Sequence, residues 1–166
     1  MIATNNSIDW KKFTKLDWWV IASALLLVID LLALPWTDVS VGPLSYTSSG
    51  TGSPDGFLGI VALLAALAAA IDVVLARLAP SVKVAAVEGF GRTKARLAAS
   101  AGALALLLLK LLLHPHPSYL GAGCWAALVI GAALVASSYR SFAAVAGPSS
   151  QPAIPGTPAG SGPAND

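Results

Sequence analysis

Four long apolar runs dominate this chain, at residues 18–36, 57–76, 97–113 and 120–139. Each approaches the roughly 20 residues that a helix needs to cross a ~30 Å hydrocarbon core. Hydrocarbon offers no partner to backbone N–H and C=O groups, so each run is predicted to be helical. Composition agrees: 56% of the residues are hydrophobic and 11% are charged, where soluble domains carry about 25% charged residues. So few charges leave too little polar surface to cover a globule in water. The expected fold is an all-α membrane protein, a four-helix transmembrane bundle over residues 18–140.

The run ends carry start and stop signals. Thr14-Lys15-Leu16-Asp17 fits a capping box before the first run. Ser53-Pro54-Asp55 offers an N-cap, a proline at the first helical position and an acid in the first turn of the second. Ser118 is placed to cap the fourth. Pro35 and Pro115 close the first and third, because proline lacks the N–H that would continue a helix. The first run follows Lys11, Lys12 and Lys15, as a signal peptide would. Its apolar stretch is too long for one, however, and no small-x-small cleavage site follows, so an uncleaved anchor is expected.

Nine of the ten Lys and Arg residues flank the runs on one side. Lys11, Lys12 and Lys15 precede the first run. Arg77, Lys83, Arg92, Lys94 and Arg96 lie in or beside the middle loop, and Arg140 follows the fourth run. The other two loops have none. The positive-inside rule then puts both termini in the cytoplasm of a cell-membrane protein. Trp10, Trp18, Trp19, Trp36, Tyr119 and Tyr139 are expected at the interfaces, and Trp125, deeper in its run, between helices. Residues 8–16 read equally as a short amphipathic surface helix or as an ordinary basic flank.

Outside the runs the chain is polar or proline-rich. Residues 37–56 are rich in Ser, Thr and Gly, as in a simple connector. The alternation of Val39, Ser40 and Val41 also admits a strand or hairpin. The tail is taken from residue 141. From Gly147 it holds five prolines, four glycines and no aromatic residue, so disorder is expected there. His114-Pro115-His116-Pro117 holds two imidazoles, short of the four ligands of a structural zinc site, and reads as a tight turn. No metal or cofactor is expected. Lone Cys124 is expected to pack as a small apolar residue.

Asp30 and Lys110 are the candidate site residues. They lie about 9 and 6 Å inside their run ends, at ~1.5 Å per residue, near the basic-poor side. A charge at mid-membrane costs roughly 2.5–3.5 kcal/mol on insertion scales. Pairing would reduce that cost and make the first and third helices neighbours. The alternative is that each side chain snorkels separately. Asp72, near the basic end of the second run, is expected to meet a base on another helix, because Arg77, five residues on, is poorly placed along its own. Ala98 with Gly102, and Ala127 with Gly131, have the small-xxx-small spacing of closely packed helices.

Leu34-Pro35-Trp36, the Ser/Gly-rich loop after it, and Pro54-Asp55-Gly56 opening an Ala/Leu-rich run resemble a broad class of small four-span bacterial membrane proteins, most without an assigned function. That resemblance implies the four-span layout and carries over no site residues. Claudin-like proteins share the layout, but their paired outer-loop cysteines are absent here. With no serine–histidine, paired-carboxylate or phosphate-loop pattern, an enzyme is not expected. Nucleic-acid binding is not expected either, since the Lys and Arg residues serve as membrane flanks. The expected partners are the lipid bilayer, and other membrane proteins or a second copy through the Ala/Gly faces. Function then reads as a non-enzymatic structural or accessory subunit, with a small transporter or channel using Asp30 and Lys110 as the alternative.

Overall fold

A computed structural model describes residues 10–52, 55–79, 91–113 and 119–146. The elements in order are α1 (Lys15–Ala33), β1 (Pro35–Val41), β2 (Leu44–Ser49), α2 (Gly56–Leu78), α3 (Arg92–Leu113) and α4 (Ala122–Ala146). All four helices are long and apolar enough to cross a membrane. Ile8 and Asp9, Ser53 and Pro54, Lys83, residues 114–118 and the tail from Gly147 lie outside the described residues.

The helices pack as a ring in chain order, α1 on α2, α2 on α3, α3 on α4 and α4 back on α1. Helices α1 and α3 are therefore diagonal, not the neighbours that an Asp30–Lys110 pair was expected to specify. The buried positions recur every three or four residues, and many of them are small or polar, not the most hydrophobic ones. Helix α2 buries Gly59, Ala62, Ala66, Ala69, Ala70 and Val73. Helix α3 buries Arg96, Ser100, Ala103, Leu107 and Lys110. Large side chains such as Leu26, Ile29, Phe57, Leu64, Leu112 and Val129 point outward. Water would not tolerate so broad an apolar surface. Hydrocarbon would, and there close packing of small residues, not expulsion of greasy ones, holds helices together.

This inversion accounts for two aromatic corrections. Trp125 is 53% exposed, while Cys124 and Ala127 beside it take the buried positions of α4. Trp36, expected at an interface, is 3% exposed. Pro35 ends α1 at Ala33, three residues sooner than the apolar run suggests, and carries Trp36 into β1. Helix α3 begins at Arg92, five residues before its apolar run. Helix α4 continues to Ala146, six residues past residue 140, so the first part of the expected tail is helical. The capping box forms: Thr14 N donates to Asp17 Oδ2 at 2.8 Å, and Asp17 N donates to Thr14 Oγ1 at 3.2 Å. Before it stands a 3-10 turn, Trp10–Lys12, in place of a continuous surface helix.

The 37–56 loop is no simple connector, and the fold is not purely α. Strands β1 and β2 form an antiparallel hairpin pairing Val39 with Tyr46 and Val41 with Leu44. Gly42 turns it at φ +62°, the sign that a tight II′ turn demands at its first central residue. The hairpin base is tied down by Thr51 N donating to Leu31 O at 3.2 Å and Gly121 N donating to Trp36 O at 2.8 Å. Asp55, expected inside the first turn of α2, is instead its N-cap, at φ 54° and without a side-chain cap bond. A Cβ on Gly59 would stand 2.1 Å from Gly50 O, so α2 reaches the hairpin exit backbone to backbone.

Gly59→Ala is expected to destabilise the fold by about 3 kcal/mol, since a carbonyl blocks the added methyl and overpacking costs about 1–3 kcal/mol. Gly102→Ala, with nothing within 4 Å of its Cβ, should be neutral or stabilising by up to about 1 kcal/mol. Unfolding titrations in mixed detergent micelles measure both.

Candidate functional site

The hairpin end of the bundle contains a buried polar group built around Trp36. Asp30 arrives on the last turns of α1, and Pro35 turns the chain so that the Trp36 indole folds back over them. Trp36 Nε1 donates to Asp30 Oδ2 at 3.0 Å. Lys110, on α3, crosses from the far side of the ring of helices. Its Nζ lies 5.4 Å from the centre of a Trp36 ring and donates to the Gly50 carbonyl. Asp30 is 1% and Lys110 5% exposed.

Asp30 and Lys110 thus converge on one indole. The edge N–H of Trp36 serves the carboxylate, and its ring faces the ammonium. A ring face attracts a cation by about 2 kcal/mol when desolvated, and a hydrogen bond to a charged group contributes about 1.5–3 kcal/mol. Neither side chain snorkels out. Asp30 Oδ1 is buried without a hydrogen-bond partner among the described residues.

The seat of Trp36 is lined by glycine. A Cβ on Gly50 would come within 2.8 Å of Trp36 Nε1 and 2.6 Å of Leu31 Cδ2. One on Gly123 would stand 3.0 Å from Trp36 Cδ1, and one on Gly121 would stand 2.2 Å from Pro35 O. Sequence reasoning found the two charges and missed the indole and its glycines. The available signal was a tryptophan six residues after a buried acid, with a proline between to reverse the chain.

The basic end holds the other buried charges. Asp17 Oδ2 accepts from Arg77 Nε at 2.8 Å and lies 2.7 Å from Arg77 Nη2, joining α1 to α2. Asp72 joins α2 to α3. Its Oδ1 accepts from Arg92 Nε at 2.6 Å and its Oδ2 from Arg96 Nε at 2.9 Å, with Arg96 Nη2 at 2.7 Å. Ser100 and Ser138 share a 2.8 Å hydrogen bond between α3 and α4. No family model, curated protein or solved structure matches this chain. Its chemistry is therefore read from the geometry alone.

Between the two polar ends lies a mainly apolar layer, in which the buried Ser23 donates to backbone carbonyls of its own helix. Val20, Ala24 and Leu27 of α1, Ala62, Ala66 and Ala69 of α2, Ala103 and Leu107 of α3, and Ala127 and Leu134 of α4 are all fully buried. Among the described residues, no group of three or more His, Cys, Asp or Glu side chains is gathered to hold a metal. What the two ends offer chemically is charge held in place: an acid and a base on an indole at one, arginine–carboxylate links at the other.

Trp36→Phe keeps the ring but removes the donor to Asp30, and is expected to destabilise by about 2 kcal/mol. In a double-mutant cycle with Asp30→Asn the two losses should fall short of additive, as detergent unfolding reads directly. Asp72→Asn strands two guanidiniums, one of them on Arg96 at 7% exposure. It should cost about 3–5 kcal/mol, the usual penalty for removing one partner of a buried pair.

Proposed function

We propose that this chain is a non-enzymatic multi-pass membrane protein serving as a structural or accessory subunit, with its basic end in the cytoplasm. The observation that carries this reading is the layer of fully buried apolar side chains separating two polar ends, whose charged side chains are held mainly by contacts within the chain. A scaffold needs such a locked interior; a pathway for ions needs polar groups in sequence along it. The outward face of α3 supports a partner-binding role. Ala98, Ala101 and Ala105 are exposed there, and a methyl on Gly102 would touch nothing. Small residues let a neighbouring helix, from another protein or a second copy, approach closely.

One observation favours a transporter instead: the unpartnered Asp30 Oδ1, a buried acceptor one turn from the hairpin. Ion flux into proteoliposomes that disappears in Asp30→Asn would establish that reading and displace the first.

Mild crosslinking of native membranes is expected to trap a partner or a second copy. Gly102→Leu should abolish the crosslink without lowering the unfolding free energy by more than about 0.5 kcal/mol, as for a surface change. A monomer recovered alone from gently solubilised membranes would overturn the subunit role. For orientation, single cysteines at Ser45 and Lys94 in a Cys124→Ala background should differ: an impermeant thiol reagent added to intact cells labels position 45 and spares position 94.

A further inference from the structure

A cavity of about 320 Å³ opens at the basic end, where α1 and α3 begin and α2 and α4 finish. Arg77, Arg92 and Arg96 line it together with Thr93 and Ser141. Thr14 and the Asp17 carboxylate, which is paired with Arg77, also line it, and the rest of the wall is apolar, including Leu16 and Val145.

The charges around this cavity do not cancel. Arg77 is matched by Asp17, but Arg92 and Arg96 share the single carboxylate of Asp72. Among the described residues, one positive charge is left over. Arg92 Nη2 is moreover buried without a hydrogen-bond partner among the described residues. A buried guanidinium donor left unmade is costly. Arg92 and Thr93 also open α3, whose first turn carries the positive end of the helix dipole. Surplus guanidinium, an orphan donor and a helix start at one place favour an oxyanion, and phosphate fits the planar fork of arginine best.

We propose that this cavity binds the phosphate ester of an anionic membrane lipid from the leaflet at the basic end. The inference rests on the membrane reading above. The cavity lies where the helices end, at headgroup depth, and its apolar wall would lie along the lipid below the phosphate. Basic pockets between helix ends suit such headgroups. A soluble phosphate ester would find the same guanidiniums but make no use of Leu16 or Val145.

The test is native mass spectrometry and thermal stability of the full chain, released from detergent with phosphatidylglycerol and phosphatidylcholine in competition. Wild type should retain phosphatidylglycerol. Arg92→Gln should weaken that retention roughly tenfold, the loss of one charge-assisted hydrogen bond. Asp72 keeps Arg96 in this variant, and circular dichroism reports whether the fold persists. Ala144→Phe fills the cavity from an exposed position with every charge kept, and should weaken retention as much. Lys94→Gln removes an exposed charge at the same end, outside the cavity, and should leave retention unchanged. Equal loss in Lys94→Gln, or retention surviving both cavity variants, would overturn the proposal. So would glycerol phosphate stabilising the protein as strongly as the lipid does. A chain dispersed without detergent would sink the membrane reading itself, whereas a membrane-embedded chain without lipid preference would sink only this inference.

Discussion

A charge inside a helix bundle needs a partner, and that requirement organises this structure. Asp17 meets Arg77 across α1 and α2, and Asp72 meets Arg92 and Arg96 across α2 and α3. Asp30 meets the Trp36 indole, and Lys110 meets the Gly50 carbonyl. The links made by Asp17, Asp72 and Lys110 join elements distant in sequence, that of Asp30 joins consecutive ones, and each would be worth little in water. In a medium of low dielectric the stranded partner is costly, so the contacts fix which helices adjoin and at what height. The apolar positions between them are less selective, because one Ala/Leu face resembles another.

The two ends meet this requirement by different chemistry. At the basic end, arginine forks grip carboxylates directly, and helix termini near solvent leave room for long side chains. At the hairpin end, the diagonal placement of α1 and α3 separates Asp30 from Lys110. Trp36 bridges the gap with an N–H for one charge and a ring face for the other. That solution demands a rigid ring in a fixed place. The hairpin supplies it, held by backbone hydrogen bonds to α1 and to the chain entering α4, and by glycines whose side chains would overlap it. The hairpin is therefore part of the charge-burying apparatus as well as a link between α1 and α2.

Packing of the helices follows the same logic of solvent. Where hydrocarbon surrounds a bundle, leucine gains little by turning inward, and beside the buried Leu27, Leu31, Leu107 and Leu134 much of the inner stripe goes to small residues that let backbones approach. Gly131 shows this. A Cβ there would lie 3.1 Å from Leu104 Cδ1 of α3. Gly102, with the same spacing signature in sequence, faces outward with nothing near. Identical motifs thus have opposite roles, one closing the bundle and the other leaving a helix face open.

The sequence by itself determined the number of helices, the capping box at Thr14 and Asp17, and the sidedness of the basic residues. These are local or additive properties: run length, a four-residue motif, a count of charges. Asp30, Lys110 and Asp72 were also legible, because a charge within an apolar run stands out and must be explained. The tertiary structure decided what answers each charge. Trp36 reads locally as an interface anchor, and only the reversal at Pro35 brings it over Asp30. Arg92 and Arg96 lie 20 and 24 residues beyond Asp72, across a loop whose length leaves several bases within reach. The ring order of the helices, and with it the diagonal separation of Asp30 from Lys110, depends on how four nearly equivalent apolar surfaces share their small-residue stripes, a property of all four together and of none alone.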